Sequence, residues 1–215
     1  MNTRRLVQLY AGLLLYGSSA GLQVRAGLGL DPWDVFHQGV ARHTGWSIGT
    51  IVCVVGALVL LLWIPLRQRP GLGTVSNVLL VGTSMDAALR VVPAVGALPL
   101  RIGLLVAAVV LNAAATGLYI GAGYGPGPRD GLMTGLHRRT GRSVRLVRTC
   151  IEVSVLAVGW LLGGTVGVGT VVYALAIGPL AQVFLRRFPG PGAAGPRTVA
   201  AGRAEPAPQP DRAPS

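Results

Sequence analysis

The sequence predicts an all-α membrane protein of six transmembrane helices, arranged as two inverted three-helix repeats. Three observations predict it. The chain of 215 residues is 51% hydrophobic and only 12% charged, a balance that departs from soluble globular usage. Apolar stretches of near-spanning length recur six times along it. The same residues also return at one constant spacing, which marks an internal duplication.

The apolar stretches cover residues 6–24, 48–66, 75–92, 102–120, 146–162 and 168–185. A spanning helix needs roughly 17 to 25 residues, so each is read as a span. The first follows Arg4 and Arg5 and includes Ser18-Ser19-Ala20, which imitates a signal peptide. It is longer than a signal core and further spans follow, so it is read as a retained helix. Cys53 and Cys150 fall inside spans, where a thiol is expected to behave as a small buried hydrophobe.

The duplication is gapless. Asp34 and Asp130 lie 96 apart (130 − 34), as do Pro32 and Pro128, Gly39 and Gly135, Arg42 and Arg138, and Gly45 and Gly141. Gly71-Leu72-Gly73-Thr74-Val75 returns as Gly167-Val168-Gly169-Thr170-Val171. Residues 1–96 therefore form a first membrane repeat and 97–188 a second. Three spans per repeat is an odd number, so the two repeats must insert in opposite orientations. Residues 189–215 are dominated by Pro, Gly, Ala and Arg and are expected to form a disordered cytoplasmic tail.

Between its first and second spans each repeat holds a short helix with readable ends. Asp31 is a suitable N-cap, Pro32 suits the first helical position and Asp34 the first turn; Gly127-Pro128-Arg129-Asp130 repeats the pattern. Gly45 and Gly141 are matching stop signals. About a dozen residues at 1.5 Å each reach roughly 18 Å, too short for the hydrocarbon core. Trp33, Phe36 and Val40 share an apolar face, with Asp34, Gln38 and Arg42 expected on the other side. Two readings stand side by side: re-entrant helices lining a cavity, or amphipathic helices lying at each interface.

All 19 basic residues are Arg, and the net charge is +12. With the N-terminus inside, Arg4, Arg5, Arg67, Arg69, Arg129, Arg138, Arg139, Arg142, Arg145, Arg148, Arg186 and Arg187 are cytoplasmic, against Arg25, Arg42, Arg90 and Arg101 outside. That asymmetry places both termini in the cytoplasm and makes the Arg residues topology determinants rather than a nucleic-acid surface. The lipid bilayer is the expected partner.

Candidate functional residues fall in two groups. Asp31, Trp33, Asp34, Gln38, Arg42, Arg129, Asp130, Thr134 and Arg138, on or beside the short helices, are candidates for binding a small-molecule solute between the repeats. Asp86 with Arg90, and Arg148 with Glu152, place charges inside spans at i,i+4 spacing, where each acid is expected to pair with its Arg. Asn77, Asn112, Tyr173 and Gln182 are expected to make interhelical hydrogen bonds. No phosphate loop, HExxH spacing or nucleophile elbow is present, so neither enzyme activity, nor a cofactor, nor a metal site is expected.

The strings DPWDVFHQG, RPGLGTVSNVLLVG, YIGAGYGPGPRDGLMTGL and GGTVGVGTVVYALAIGPL closely resemble the YczE/YyaS/YitT family of bacterial integral membrane proteins, in its YczE-like branch. The resemblance covers nearly all of residues 1–188 and implies a multi-pass protein of the bacterial cytoplasmic membrane. It supplies no catalytic residues to transfer. Two functions are compatible with it: a small secondary transporter or exporter, favoured by the inverted repeat, and a non-transporting regulator or scaffold for a biosynthetic or transport complex. The scaffold reading brings a protein partner or a homo-oligomer.

Overall fold

The computed structural model describes residues 3–188, which form eight α-helices and no strand. They are α1 (Thr3–Ala26), α2 (Pro32–Thr44), α3 (Ile48–Trp63), α4 (Leu72–Val91), α5 (Leu98–Ala122), α6 (Pro128–Thr140), α7 (Val144–Leu161) and α8 (Val168–Arg187). The expected tail, 189–215, lies outside the described residues. Shifted by 96, α2 falls on α6 and α4 on α8 residue for residue, and the ends of α1 and α5 coincide.

The chain is an all-α membrane protein, and its helices differ in how far length and composition alone mark them as spans. α4, α5 and α8 are long and apolar enough to cross a membrane, and α2 with α3, bent by 113° at their break, adds a fourth if counted as one span. The reasons are local. α1 carries Gln8, Ser19 and Gln23, the last two fully buried against its neighbours. α3 has only 16 residues, and α7 holds Arg145, Arg148 and Glu152. Large apolar side chains such as Leu58, Val168 and Leu175 face outward, as a lipid-facing surface requires.

α1 and α5 form the centre, packed against each other, with α4 on α1 and α8 on α5. The outer pairs cross between repeats: α2 packs on α7, and α3 on α6. Small residues make this possible. A Cβ at Gly12 would collide with Tyr119 of α5, and one at Gly21 with Ala88 of α4, so the backbones approach as closely as glycine allows.

The two repeats also exchange hydrogen bonds. Gly73 N donates to the Tyr124 carbonyl at 2.9 Å, and 96 residues on Gly169 N donates to the Leu28 carbonyl at 2.8 Å. Residue i of one half meets j of the other, and the mate of i meets the mate of j. That is the signature of a pseudo-two-fold relation. The Gly-x-Gly-Thr turns that begin α4 and α8 thus dock on the linker that follows the other repeat's first helix. Thr74 Oγ1 completes the first joint, accepting from Gly71 N and donating to the Pro126 carbonyl at 2.8 Å.

Candidate functional site

The two short helices form as the capping signals predict. Asp31 Oδ1 accepts from Trp33 N at 2.8 Å and Asp34 N at 3.0 Å, satisfying two of the four orphan amides of α2. Gly45 and Gly141 close α2 and α6 at φ 74° and 67°, a left-handed conformation that glycine adopts without strain. Asp34, expected on the polar side of α2, faces the protein interior. Asp34 is 3% exposed and His37 1%, because α2 is enclosed by α7 and α3 rather than lying on a surface.

The N-terminal ends of α2 and α6 meet across the repeats. Arg129, from the first turn of α6, sets its guanidinium nitrogens 3.7 Å from both Asp31 Oδ1 and Asp34 Oδ1, and its central carbon 4.9 Å from the centre of the Trp33 ring. Asp34 also holds His37 Nδ1 at 3.0 Å. Two buried carboxylates therefore share one guanidinium, and the cation spends its remaining face on the indole. Beside them Tyr119 donates to Asp130 Oδ2 at 2.9 Å and stacks edge-on against Tyr16, with centroids 6.0 Å apart.

These groups border a cavity of about 330 Å³ to which all eight helices contribute. Tyr16, Trp33, Tyr119 and Tyr173 provide aromatic walls, Arg129 and Asp130 the charge at its heart, and Asn77 and Gln182 further polar edges. A buried chain fixes one wall: Tyr173 donates to Asn112 Oδ1 at 3.0 Å, and Asn112 Nδ2 donates to Ser19 Oγ at 3.0 Å. Such a cavity is large enough for a small organic molecule.

The structure brings together Asp31, Trp33, Asp34, Arg129 and Asp130 from the sequence candidates. Gln38 and Arg42 lie elsewhere: Gln38 Oε1 accepts from Thr165 N at 2.6 Å and Arg42 donates to the Gly163 carbonyl, so both pin α2 to the α7–α8 connection. Thr134 bonds back to the Asp130 carbonyl within its own helix, and Arg138 is exposed near the end of α6, away from the cavity. Arg148 does pair with Glu152, Nε to Oε1 at 2.9 Å.

The expected Asp86–Arg90 pair does not form. Asp86 instead caps α3, its Oδ1 accepting from Gly49 N at 2.9 Å and its Oδ2 from the Ser47 hydroxyl, because α3 and α4 touch at Gly49 and Gly82. Asn77 and Gln182 face the cavity rather than joining helices. Cys150 is exposed on α7, not buried. Tyr16 and Tyr119 were not among the candidates, yet a signal for them exists. Their mates at the 96-residue offset are Asn112 and Gln23, so each position is one where both repeats keep a polar group on the central helix pair.

Comparison with known proteins follows the same extent. Residues 3–186 match a family described as one of unknown function, DUF6198. The chain is 38% identical over 177 residues to an uncharacterized protein of Haemophilus influenzae, spanning 82% of this chain and 81% of that one. It is 34% identical over 172 residues to the uncharacterized membrane protein YczE of Bacillus subtilis, spanning 79% and 80%, and 24% identical over 178 residues to YyaS of the same organism, spanning 81% and 89%. No solved structure matches.

Proposed function

The chain belongs to the DUF6198 family, with the membrane protein YczE among its relatives, and from that premise we propose that it is a small secondary transporter or exporter of the bacterial cytoplasmic membrane. In this reading it moves a solute without converting it. Two inverted repeats rock around the central cavity, α2 and α6 are re-entrant from opposite faces, and both termini are cytoplasmic, in keeping with the Arg distribution.

One observation carries the reading. The repeats are closed unequally at equivalent positions. In the first, α3 and α4 pack together: a Cβ at Gly82 would collide with the Gly49 carbonyl, and Asp86 latches the start of α3. In the second, α7 and α8 are not packed, a Cβ at Gly178 would meet open space, and Arg148 and Gln182 look into the cavity. With the N-terminus inside, the closed contact lies toward the outer face and the gap toward the cytoplasm. Exchanging the two conformations between the repeats would reverse the access. Pro179, which deletes a backbone donor from α8 where its mate Thr83 retains one in α4, fits a helix that must bend.

Disulfide trapping tests this without knowledge of the solute. In a background of Cys53→Ala and Cys150→Ala, the pair Ser47→Cys with Asp86→Cys should cross-link in the present state, and the equivalent pair Ser143→Cys with Gln182→Cys in the reversed one. Each cross-link should protect the opposite side of the cavity least. If the Ser143–Gln182 pair never cross-links in native membranes while the Ser47–Asp86 pair does so completely, the protein does not alternate and the transport reading is lost.

A further inference from the structure

The geometry points to a small organic cation, an alkylammonium, as the ligand of the central cavity. This rests on the transport reading for the purpose of the site, but the chemistry is argued from the lining alone.

Of the Arg and Asp side chains that line the cavity, Arg129, Arg148 and Asp130, only Asp130 lacks an ion pair among the described residues. Arg129 is shared by Asp31 and Asp34, and Arg148 is held by Glu152. Asp130 lines the cavity as well, is exposed to it, and among the described residues forms no ion pair; its one side-chain partner is the neutral Tyr119 hydroxyl. Asp31, Asp34 and Glu152 lie outside the lining and hold its two guanidinium groups, which leaves Asp130 as the lining charge without an ion pair among the described residues. A cation entering beside Asp130 pairs it. An anion would lie against Asp130 and would have to draw Arg129 away from two buried carboxylates, leaving them uncompensated.

The aromatic lining favours the same class. Tyr16, Trp33, Tyr119 and Tyr173 come from four different helices to border the space that Asp130 also lines, and aromatic rings beside a carboxylate are a recurrent means of holding an alkylammonium group. Arg129 over Trp33 already shows a cation in that role. The volume of about 330 Å³ admits such a molecule and excludes a lipid or a peptide.

Three isosteric probes isolate the charge: choline, 3,3-dimethylbutan-1-ol and 3,3-dimethylbutanoate, titrated into the full-length purified protein while its thermal unfolding is followed. Choline should raise the unfolding midpoint in a saturable way, and neither the neutral nor the anionic isostere should do so. Asp130→Asn keeps the acceptor for Tyr119 and should weaken choline by about ten- to hundredfold. Stabilisation by the anion, stabilisation by all three alike, no response to choline, or an Asp130→Asn protein that binds choline unchanged would each overturn the assignment. The two readings separate cleanly. Alternating cross-links with an anion-selective response retain transport and reject the cation, whereas choline binding without alternation retains the cation site and rejects transport.

Discussion

Asp86 Oδ1 accepts the backbone N–H of Gly49 at 2.9 Å, so a carboxylate on α4 finishes the first turn of α3. The equivalent positions, Gln182 and Arg145, make no such joint, and the cavity extends between their helices. A carboxylate at a helix N-terminus is favoured both by the free amides and by the helix dipole. An amide at the equivalent place in α8 carries no charge to use.

Removing that latch should loosen α3 from α4. Asp86→Ala deprives Gly49 N and the Ser47 hydroxyl of their acceptor and is expected to destabilise by about 1–3 kcal/mol. Cys53 sits at the same contact, with Sγ 3.6 Å from the Leu79 carbonyl. In a Cys150→Ala background, its labelling by a maleimide should therefore accelerate in the Asp86→Ala protein. Unchanged labelling would separate the latch from helix packing.

Adding one methyl group distinguishes the two repeats. Gly82→Ala drives a Cβ into the Gly49 carbonyl, and overpacking of this kind costs about 1–3 kcal/mol. Gly178→Ala meets open space and should instead stabilise by up to about 1 kcal/mol through helix propensity. Thermal unfolding of the two variants in one detergent reads the difference directly. The same Gly178→Ala change should suppress the Ser143–Gln182 cross-link, since closing α7 on α8 needs the space it fills.

Two arginine substitutions should differ sharply. Arg129→Gln leaves Asp31 and Asp34, 4% and 3% exposed, without their shared cation, a loss on the order of 3 kcal/mol. Arg148→Gln breaks an exposed pair with Glu152 and should cost less than about 1 kcal/mol. Equal losses in thermal unfolding would show that Asp31 and Asp34 find another partner when Arg129 is gone.

Asn112→Ala cuts the chain from Tyr173 to Ser19 at its centre. Hydrogen bonds between helices in a membrane average a little under 1 kcal/mol each, so losing both should cost about 1 kcal/mol. Ser19→Ala, which removes one partner only, should cost roughly half. A neutral Asn112→Ala would mean that Tyr173 and Ser19 are satisfied elsewhere.

The helix ends were legible because capping is local. Asp31, Pro32, Gly45, Pro128 and Gly141 each act within one turn of their own position, so spacing alone locates α2 and α6 to the residue. The faces of α2 were not. A pattern of apolar Trp33 and Phe36 opposite polar Asp34 and Gln38 fits an interfacial or a re-entrant helix alike, and only packing against α7 and α3 buries Asp34 together with Trp33. Asp86 misled for a similar reason. Arg90, four residues on, is its neighbour along the helix, but Gly49, distant in sequence, is its neighbour in space.

By itself, the sequence determined that the chain is apolar, duplicated at an offset of 96 residues and divided into eight segments, because composition, periodicity and caps are read over a few residues at a time. Tertiary structure alone decided which copies touch. It joined Gly73 to Tyr124 and Gly169 to Leu28, brought Arg129 of one repeat to Asp31 and Asp34 of the other, and closed α3 on α4 while leaving α7 apart from α8. The physical reason is that equal sequences carry equal local preferences, whereas a cavity arises from how two packed halves share one interface, and that interface is free to differ at equivalent positions.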